Sequence, residues 1–166
     1  MIVCRPVPVG NADAATLLRA YMTEMVNRYH GRPMPAERVD AAMAQDPNDD
    51  LAVFLVAYRS AARGGEPVGC AGLRVLSAAI GEVKRMYVDP GARRAGVGSA
   101  LLDALTAQAL DRGLGALRLD TRTDLVEARA LYARHGFVPI PAYNDAPYAE
   151  HWYEKVLTGT ALHRRD

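Results

Sequence analysis

The 166-residue chain has little of several features that would place it in a specialised class of protein. It carries only two cysteines, Cys4 and Cys70, which are too few and too far apart for a disulfide framework or a zinc ribbon and favour a reducing compartment. Its four histidines show no ligand spacing, so we expect no metal. No run of eighteen uncharged apolar residues occurs, and residues 1–18 lack the apolar core of a signal peptide. These absences predict a cytoplasmic protein with no membrane partner.

Charge is also nearly balanced, with 20 Lys and Arg against 19 Asp and Glu and a net charge of +1. Such a chain has no general field for nucleic acid, so any affinity for anions must be local. The two short basic runs, residues 91–96 and 162–166, give little support to DNA binding. The length and the 50% hydrophobic content fit one domain over residues 1–166.

Hydrophobic periodicity predicts strands and helices in the order β-α-α-β-β-β-α-β-α-β-β, an α+β class with a mixed sheet. Two β-rich runs on either side of residues 61–65 form an antiparallel hairpin, and residues 79–90 form the next strand. A helix over residues 96–112 then leads to a strand over residues 114–122, which makes the two strands a parallel pair. Asp124 is the expected cap of the last helix.

The stretch DPGARRAGVGSALL, residues 89–102, places two arginines and two glycines at the start of the helix that follows the strand. A Walker loop is excluded because Val97 stands where its lysine must be. A dinucleotide fingerprint is weakly supported because its third glycine would fall at Leu101. Neither common phosphate motif therefore explains the stretch.

A third interpretation uses the residues that are present. Gly96 and Gly98 let successive backbone N–H groups point at one anion, the helix adds its positive end, and Arg93 and Arg94 add side-chain donors. A pyrophosphate fits such a site. The alternative, that the glycines only make a tight strand-to-helix turn, stays open at this point.

Three stretches together resemble the GNAT superfamily of N-acetyltransferases. ARRAGVGSALL matches the superfamily's motif at the start of its central helix, EVKRMYVDP is the strand before it, and ARALYARHGFVPI is similar to the second signature. The resemblance covers about residues 50–157. It implies a mixed central sheet with splayed parallel strands 4 and 5, flanked by helices, and an acetyl-CoA-dependent N-acetyltransferase that is a monomer or a homodimer.

The resemblance also implies which residues bind coenzyme A. The loop after the fourth strand binds the pyrophosphate mainly through backbone N–H groups, and the main chain of that strand, which usually carries a bulge, pairs with the pantetheine arm. The loop residues are Arg93, Arg94, Ala95, Gly96, Val97, Gly98 and Ser99, and the strand residues are Met86, Tyr87 and Val88. Leu125 departs from the family, which often has asparagine there.

Three residues are implied to act in catalysis. The Met86 N–H stabilises charge on the thioester oxygen, and Tyr132 protonates the departing thiolate, although its place on an apolar helix stripe equally fits a core tyrosine. Glu82 is the expected base, on the same strand face as Met86 if no bulge intervenes. The alternative for Glu82 is an exposed strand glutamate paired with Lys84 or Arg74.

The resemblance places the acceptor between the N-terminal helices and the final hairpin. Tyr29, His30, Tyr143 and Tyr148 are expected to line the site, Glu24 or Glu150 to hold a cationic amine and Arg32 to meet a carboxylate. The expected acceptor is a small amine or amino-acid-like molecule. A protein or peptide N-acetyltransferase and a non-catalytic acyl-CoA-binding sensor are the alternatives.

Overall fold

The computed structural model describes residues 1–59 and 64–157. The predicted hairpin turn lies partly outside these residues, and the basic run at 162–166 lies wholly outside them. The described residues form seven strands: β1 Ile2–Pro6, β2 Leu51–Arg59, β3 Glu66–Val75, β4 Ile80–Val88, β5 Ala116–Thr121, β6 Val138–Ile140 and β7 His151–Val156. Four α-helices accompany them: α1 Ala12–His30, α2 Ala36–Gln45, α3 Val97–Asp111 and α4 Val126–Arg134.

The strands form one sheet in the order β1-β2-β3-β4-β5-β7-β6, and the β2–β3 hairpin is confirmed. Every neighbouring pair is antiparallel except β4 and β5, which are parallel and joined through α3. Only three residue pairs join these two strands, the last being Glu82 opposite Arg118. Beyond that pair the strands separate, which confirms the predicted mixed sheet with splayed fourth and fifth strands.

A bulge lies in the part of β4 that has left β5. Lys84 is opposite Gly72 and Tyr87 is opposite Cys70, so β4 has one more residue than β3 in this interval. Arg85 within it has a φ of +57°, a left-handed conformation that is uncommon outside glycine. The extra residue changes the alternation of side chains, so that Glu82 and Met86 do not share a face of the sheet.

Two apolar clusters cover the two faces of the sheet. On one face α3 buries leucines against β2–β5, and α4 adds Tyr132 to the same cluster. On the other face α1 packs Leu17 and Leu18 against Phe54 and Val56 of β2. Each fully buried leucine stabilises the fold by about 1.5–3 kcal/mol, so both helix layers are firmly held. The gap between β4 and β5 therefore has α3 and α4 on one face and α1 on the other.

The helix ends follow the sequence with one exception. Asn11 caps α1 through its side chain, whereas α4 begins after Leu125 without a side-chain cap. The Asp124 carboxylate instead accepts two hydrogen bonds from Arg122, at 2.9 and 2.8 Å, and lies 3.5 Å from Arg28. The prediction that Asp124 caps this helix was therefore wrong, because guanidinium groups occupy its oxygens. Among the helices of the described residues, none has the length and apolarity that a membrane crossing requires.

Candidate active site

The loop between β4 and α3, residues 89–99, leaves a series of backbone N–H groups unpaired. Arg94 and Gly96 both have left-handed φ values, of +64° and +80°. The N–H of Ala100 is the first in α3 to bond a carbonyl, that of Gly96 at 3.0 Å. Among the described residues, the N–H groups of residues 94–99 donate to no backbone carbonyl. These six donors and the positive end of α3 together make a site suited to an anion.

The two glycines of this loop have different structural roles. Gly96 is the N-cap of α3 in a left-handed conformation, with open space where a side chain would begin. Gly98 lies inside the first turn of α3, where an added Cβ would come within 2.7 Å of Leu131 Cδ2. Gly98 therefore lets the Leu131 side chain of α4 lie close against α3, whereas Gly96 shapes the loop.

The two arginines of the loop also differ. Arg93 directs Nη2 to both carboxylate oxygens of Glu24, each at 2.8 Å, and its Nε donates to the Val88 carbonyl at 3.0 Å. Arg93 and Glu24, predicted to bind the cofactor and the acceptor, are thus bonded to each other, and Glu24 lines a groove of about 810 Å³ beside α1. Arg94 is exposed and forms no hydrogen bond to any residue that the structure describes.

Tyr132 combines a core ring with an available hydroxyl. The residue is 6% exposed, and its ring packs edge-on against Phe137 with centroids 5.8 Å apart. Its hydroxyl makes no hydrogen bond within residues 1–59 and 64–157. Burial, with smaller effects from Tyr21 and Asp120, raises the pKa of Tyr132, so the hydroxyl stays protonated at neutral pH.

Glu82 lies in a second cleft, of about 560 Å³, between the β3–β4 hairpin, β5 and the loop before β7. We call it the Glu82 cleft; its charged and phenolic lining residues include Asp46, Arg74, Glu82, Lys84, Arg118 and Tyr143. The Glu82 side chain is 3% exposed and accepts a hydrogen bond from the Tyr143 hydroxyl at 2.6 Å. Its other oxygen faces Arg74 at 3.3 Å and Lys84 at 3.9 Å. Glu82 is thus paired with both predicted cations, but it is buried rather than exposed.

Tyr143 is fixed between two strands by its contacts in the Glu82 cleft. Its hydroxyl donates to Glu82, and the Arg118 guanidinium lies 5.3 Å from its ring centroid. Burial, and then the hydrogen bond to the Glu82 carboxylate, raise the pKa of Tyr143. The phenol therefore remains protonated and keeps its donor directed at Glu82.

Asp120, which the sequence analysis did not single out, lies on the same face of β5 as Arg118. It accepts a hydrogen bond from Asn144 Nδ2 at 2.8 Å, and Asn144 in turn accepts one from the Trp152 indole at 2.9 Å. The Asp120 charge adds, after burial and Tyr21, to the raised pKa of Tyr132. The signal in the sequence was the alternation LRLD, which places Arg118 and Asp120 on the less buried face of the strand.

The remaining predicted acceptor residues lie near the surface. Tyr29 and Tyr148 are 59% and 54% exposed, and their rings stack edge-on with centroids 5.0 Å apart. This contact joins the end of α1 to the loop before β7. The two tyrosines are not among the residues that line the Glu82 cleft.

Comparison with known proteins identifies a matching family, a protein of similar sequence and solved structures of similar fold. Residues 15–137 match the sequence model of the acetyltransferase (GNAT) family. The chain is 35% identical over 130 residues to an IAA acetyltransferase of Azospirillum brasilense, which covers 76% of this chain and 82% of that protein.

Two solved structures of lower identity show the same fold. A GNAT-family acetyltransferase from Staphylococcus aureus Mu50 superposes with a TM-score of 0.71 at 18% identity, over 95% of this chain and 100% of the other. A GNAT-family acetyltransferase from Elizabethkingia anophelis, crystallised with acetyl-CoA bound, gives a TM-score of 0.64 at 16% identity, over 94% and 98%.

Proposed function

The chain belongs to the GNAT acetyltransferase family and is an N-acetyltransferase, and we propose that it moves the acetyl group of acetyl-CoA to the primary amine of a small, amino-acid-like acceptor. Transfer occurs by direct attack while both substrates are bound. The observation that carries this proposal is the set of six unpaired N–H groups at residues 94–99, which follow the end of β4, the strand that separates from β5 after Glu82. The family uses acetyl-CoA, and this loop is suited to its diphosphate.

Residues 93–99 hold the diphosphate in this proposal, chiefly through main-chain donors. The backbone of Met86, Tyr87 and Val88 pairs with the pantetheine arm, which the separation of β4 from β5 supports. Bound acetyl-CoA supplies the acetyl thioester that an amine attacks.

The Met86 N–H and the Tyr132 hydroxyl then act on the charge and the proton of the reaction. The Met86 N–H stabilises the negative charge that develops on the thioester oxygen. Tyr132 donates its proton to the departing thiolate, a role supported by a hydroxyl that is protonated and has no other partner among the described residues.

Glu82 accepts the amine proton in this proposal. Because its carboxylate is buried, the proton passes through the Tyr143 hydroxyl that donates to Glu82 at 2.6 Å. A primary amine with a pKa near 10.4 is neutral in only about one molecule in 10³ to 10⁴ at pH 7, so a base that removes its proton raises the rate. Asp120 is the second carboxylate near the reacting groups, and it is placed to hold the amine before it loses its proton.

The tyrosines and Glu24 contribute to the acceptor side. Tyr143 lies within the Glu82 cleft, and the exposed pair of Tyr29 and Tyr148 stands at the surface between α1 and the loop before β7. Glu24 contacts an amine only when Arg93 turns away from it, because both Glu24 oxygens are bonded to that guanidinium.

The proposal is tested in two steps on the full chain. Calorimetric titration with coenzyme A measures cofactor uptake, and incubation of acetyl-CoA with a panel of small amines measures thiol release, with mass spectrometry of the acetylated product. We expect uptake and transfer to at least one small amine. No uptake at millimolar coenzyme A would contradict the proposal. Uptake without transfer would indicate a sensor, and transfer to peptide amines alone would indicate a protein or peptide acetyltransferase.

A further inference from the structure

The Glu82 cleft contains a lysine whose ammonium has no hydrogen-bond partner among the described residues. The nearest carboxylate oxygen to Lys84 Nζ belongs to Glu82, at 3.9 Å, which is too long for a hydrogen bond. The Lys84 side chain is only 17% exposed. Its Nζ is not among the buried side-chain nitrogen and oxygen atoms that lack a partner, so the ammonium is open to the cleft, where its unused donors can bind an anion.

Arg118 is a second cation with unused donors beside it. Its Nε donates to Glu154 at 2.7 Å and its guanidinium lies against the Tyr143 ring, so the group is held in a fixed orientation. Its Nη1 and Nη2 groups make no hydrogen bond to any residue within 1–59 and 64–157. Because Arg118 is paired with Glu82 across the β4–β5 ladder and Lys84 is two residues further along β4, both cations serve one small volume.

The carboxylates that line the same cleft are already engaged or exposed. Glu82 accepts from Tyr143 and faces Arg74, and Asp46 pairs with Arg85 at 2.9 Å. Asp145 stands exposed on the loop at the edge of the cleft. The cleft therefore keeps free donors on Lys84 and Arg118, while most of its own acceptors are already used.

The charges along β5 indicate where the amine of a bound ligand would lie. Arg118 and Asp120 project from the same face, with Cα atoms about 6.6 Å apart as expected for alternate residues of a strand. A cation followed by an anion at this spacing is complementary to a molecule that carries a carboxylate next to an ammonium group. The cleft, of about 560 Å³, has the size of small-molecule sites, and Asp120, which is not itself a lining residue, is bonded to the lining residue Asn144.

We propose that the acceptor is a free amino acid whose carboxylate binds between Lys84 and Arg118 and whose amine faces Asp120. This inference rests on the proposed acetyl transfer and adds the acceptor class and its anchoring residues. It replaces the expectation that Arg32 meets the carboxylate, because Arg32 is exposed beyond the end of α1 and does not line the cleft.

The test compares free amino acids with their carboxamides, in which the carboxylate is neutral. Each of the twenty amino acids and its amide is titrated calorimetrically into the protein saturated with coenzyme A, and each is assayed for acetylation with acetyl-CoA. We expect at least one amino acid to bind and to be acetylated at least tenfold more efficiently than its amide. The difference should lie mainly in KM, since the carboxylate serves binding.

Lys84→Met removes the charge at nearly constant length and should raise the KM for that amino acid about tenfold or more, with little effect on the amide or on coenzyme A affinity. Lys155→Met is the matched control, because Lys84 and Lys155 are the only lysines of the chain and Lys155 is paired with Leu117 on β5, outside the cleft. Lys84→Arg should restore most of the preference for the acid. Arg118→Gln repeats the test on the second cation.

Equal binding of acid and amide by the wild-type chain, or an equal loss of both in Lys84→Met, would overturn the inference. Binding is measured here without turnover, so the two proposals fail differently. A chain that binds the amino acid through Lys84 but transfers no acetyl group contradicts the proposed function and supports the assigned site. A chain that acetylates only amines without a carboxylate supports the proposed function and contradicts the assigned site.

Discussion

The loop at residues 89–99 and the Glu82 cleft are built in opposite ways. The loop belongs to one segment of chain and offers main-chain N–H groups, whose directions are set by the conformation of the loop. The cleft brings together side chains from the segment after α2, from β3, β4 and β5, and from the loop before β7. A site made of backbone depends on conformation, whereas a site made of side chains depends on their identity and on the fold that assembles them.

Of the variants that test this comparison, Tyr132→Phe is expected to have the largest effect. The ring packs on Phe137 and phenylalanine preserves that contact, so the fold should be retained while the proton donor is lost. We expect kcat to fall roughly 100-fold or more, with coenzyme A affinity nearly unchanged. Single-turnover thiol release and calorimetry measure the two quantities separately.

The pH profile adds a check on the same residue. Because burial raises the pKa of Tyr132, the protonated donor is the form present at all pH values below the ordinary tyrosine pKa near 10. Between pH 7 and 10, the kcat of the wild-type chain should therefore depend on pH in the same way as the kcat of Tyr132→Phe. Tyr58→Phe, which removes a hydroxyl bonded to Asp13 far from the cleft, serves as the control for general effects. Equal loss of turnover and cofactor affinity in Tyr132→Phe would mark the residue as structural.

Substitutions of Glu82 and Asp120 are expected to give the next largest effects. They distinguish a base that removes the amine proton from a carboxylate that binds the amine. Glu82→Gln keeps an acceptor for Tyr143 but removes the base, so we expect kcat to fall about 10- to 100-fold at pH 7. The loss should shrink as pH rises, because the amine then loses its proton to water. Asp120→Asn keeps an acceptor for Asn144 and should act mainly on the KM of the amine.

Kinetics with a fixed amine from pH 6.5 to 9.5 distinguish these outcomes. If Asp120→Asn lowers kcat with rescue at high pH and Glu82→Gln does not, then the base is Asp120 and the buried Glu82 positions its neighbours. If both variants lose only stability in thermal unfolding, neither acts on the proton.

The sequence predicted the loop better than the cleft, and the difference has a physical cause. Glycine spacing and a strand-to-helix transition are local, so the anion site at Gly96 could be proposed from a few adjacent letters. The bulge at Arg85 was implied by the resemblance but by no letter of EVKRMYV itself, and it removes the condition under which Glu82 and Met86 would share a face. Likewise Asp120 depends on Asn144 and Trp152, which are distant in sequence and meet only in the folded sheet.

A glycine pair at the two ends of α3 tests the loop with a matched control. Gly96 and Gly113 have φ values of +80° and +73°, and neither has an atom within 4 Å of an added Cβ. Alanine at either position should lower the free energy of unfolding by about 1 kcal/mol, because the left-handed conformation is strained with a side chain. Only Gly96→Ala should also weaken coenzyme A binding, by roughly fivefold to tenfold, as the N–H groups change direction. Equal affinities in calorimetry would mean that this loop does not hold the diphosphate.

The smallest effect is expected at Arg94, and it is the one that most directly tests whether the loop is a backbone site. Arg94 is exposed, and alanine, which also carries a Cβ, leaves the strain of its φ of +64° unchanged, so Arg94→Ala isolates the charge. An exposed cation near an anion contributes about 0.2–1 kcal/mol, which predicts a twofold to fivefold weaker coenzyme A affinity that vanishes in high salt. Calorimetry at 50 and 500 mM salt measures this. A loss well above tenfold that persists in salt would show that side chains carry the binding, and the contrast between the loop and the Glu82 cleft would no longer hold.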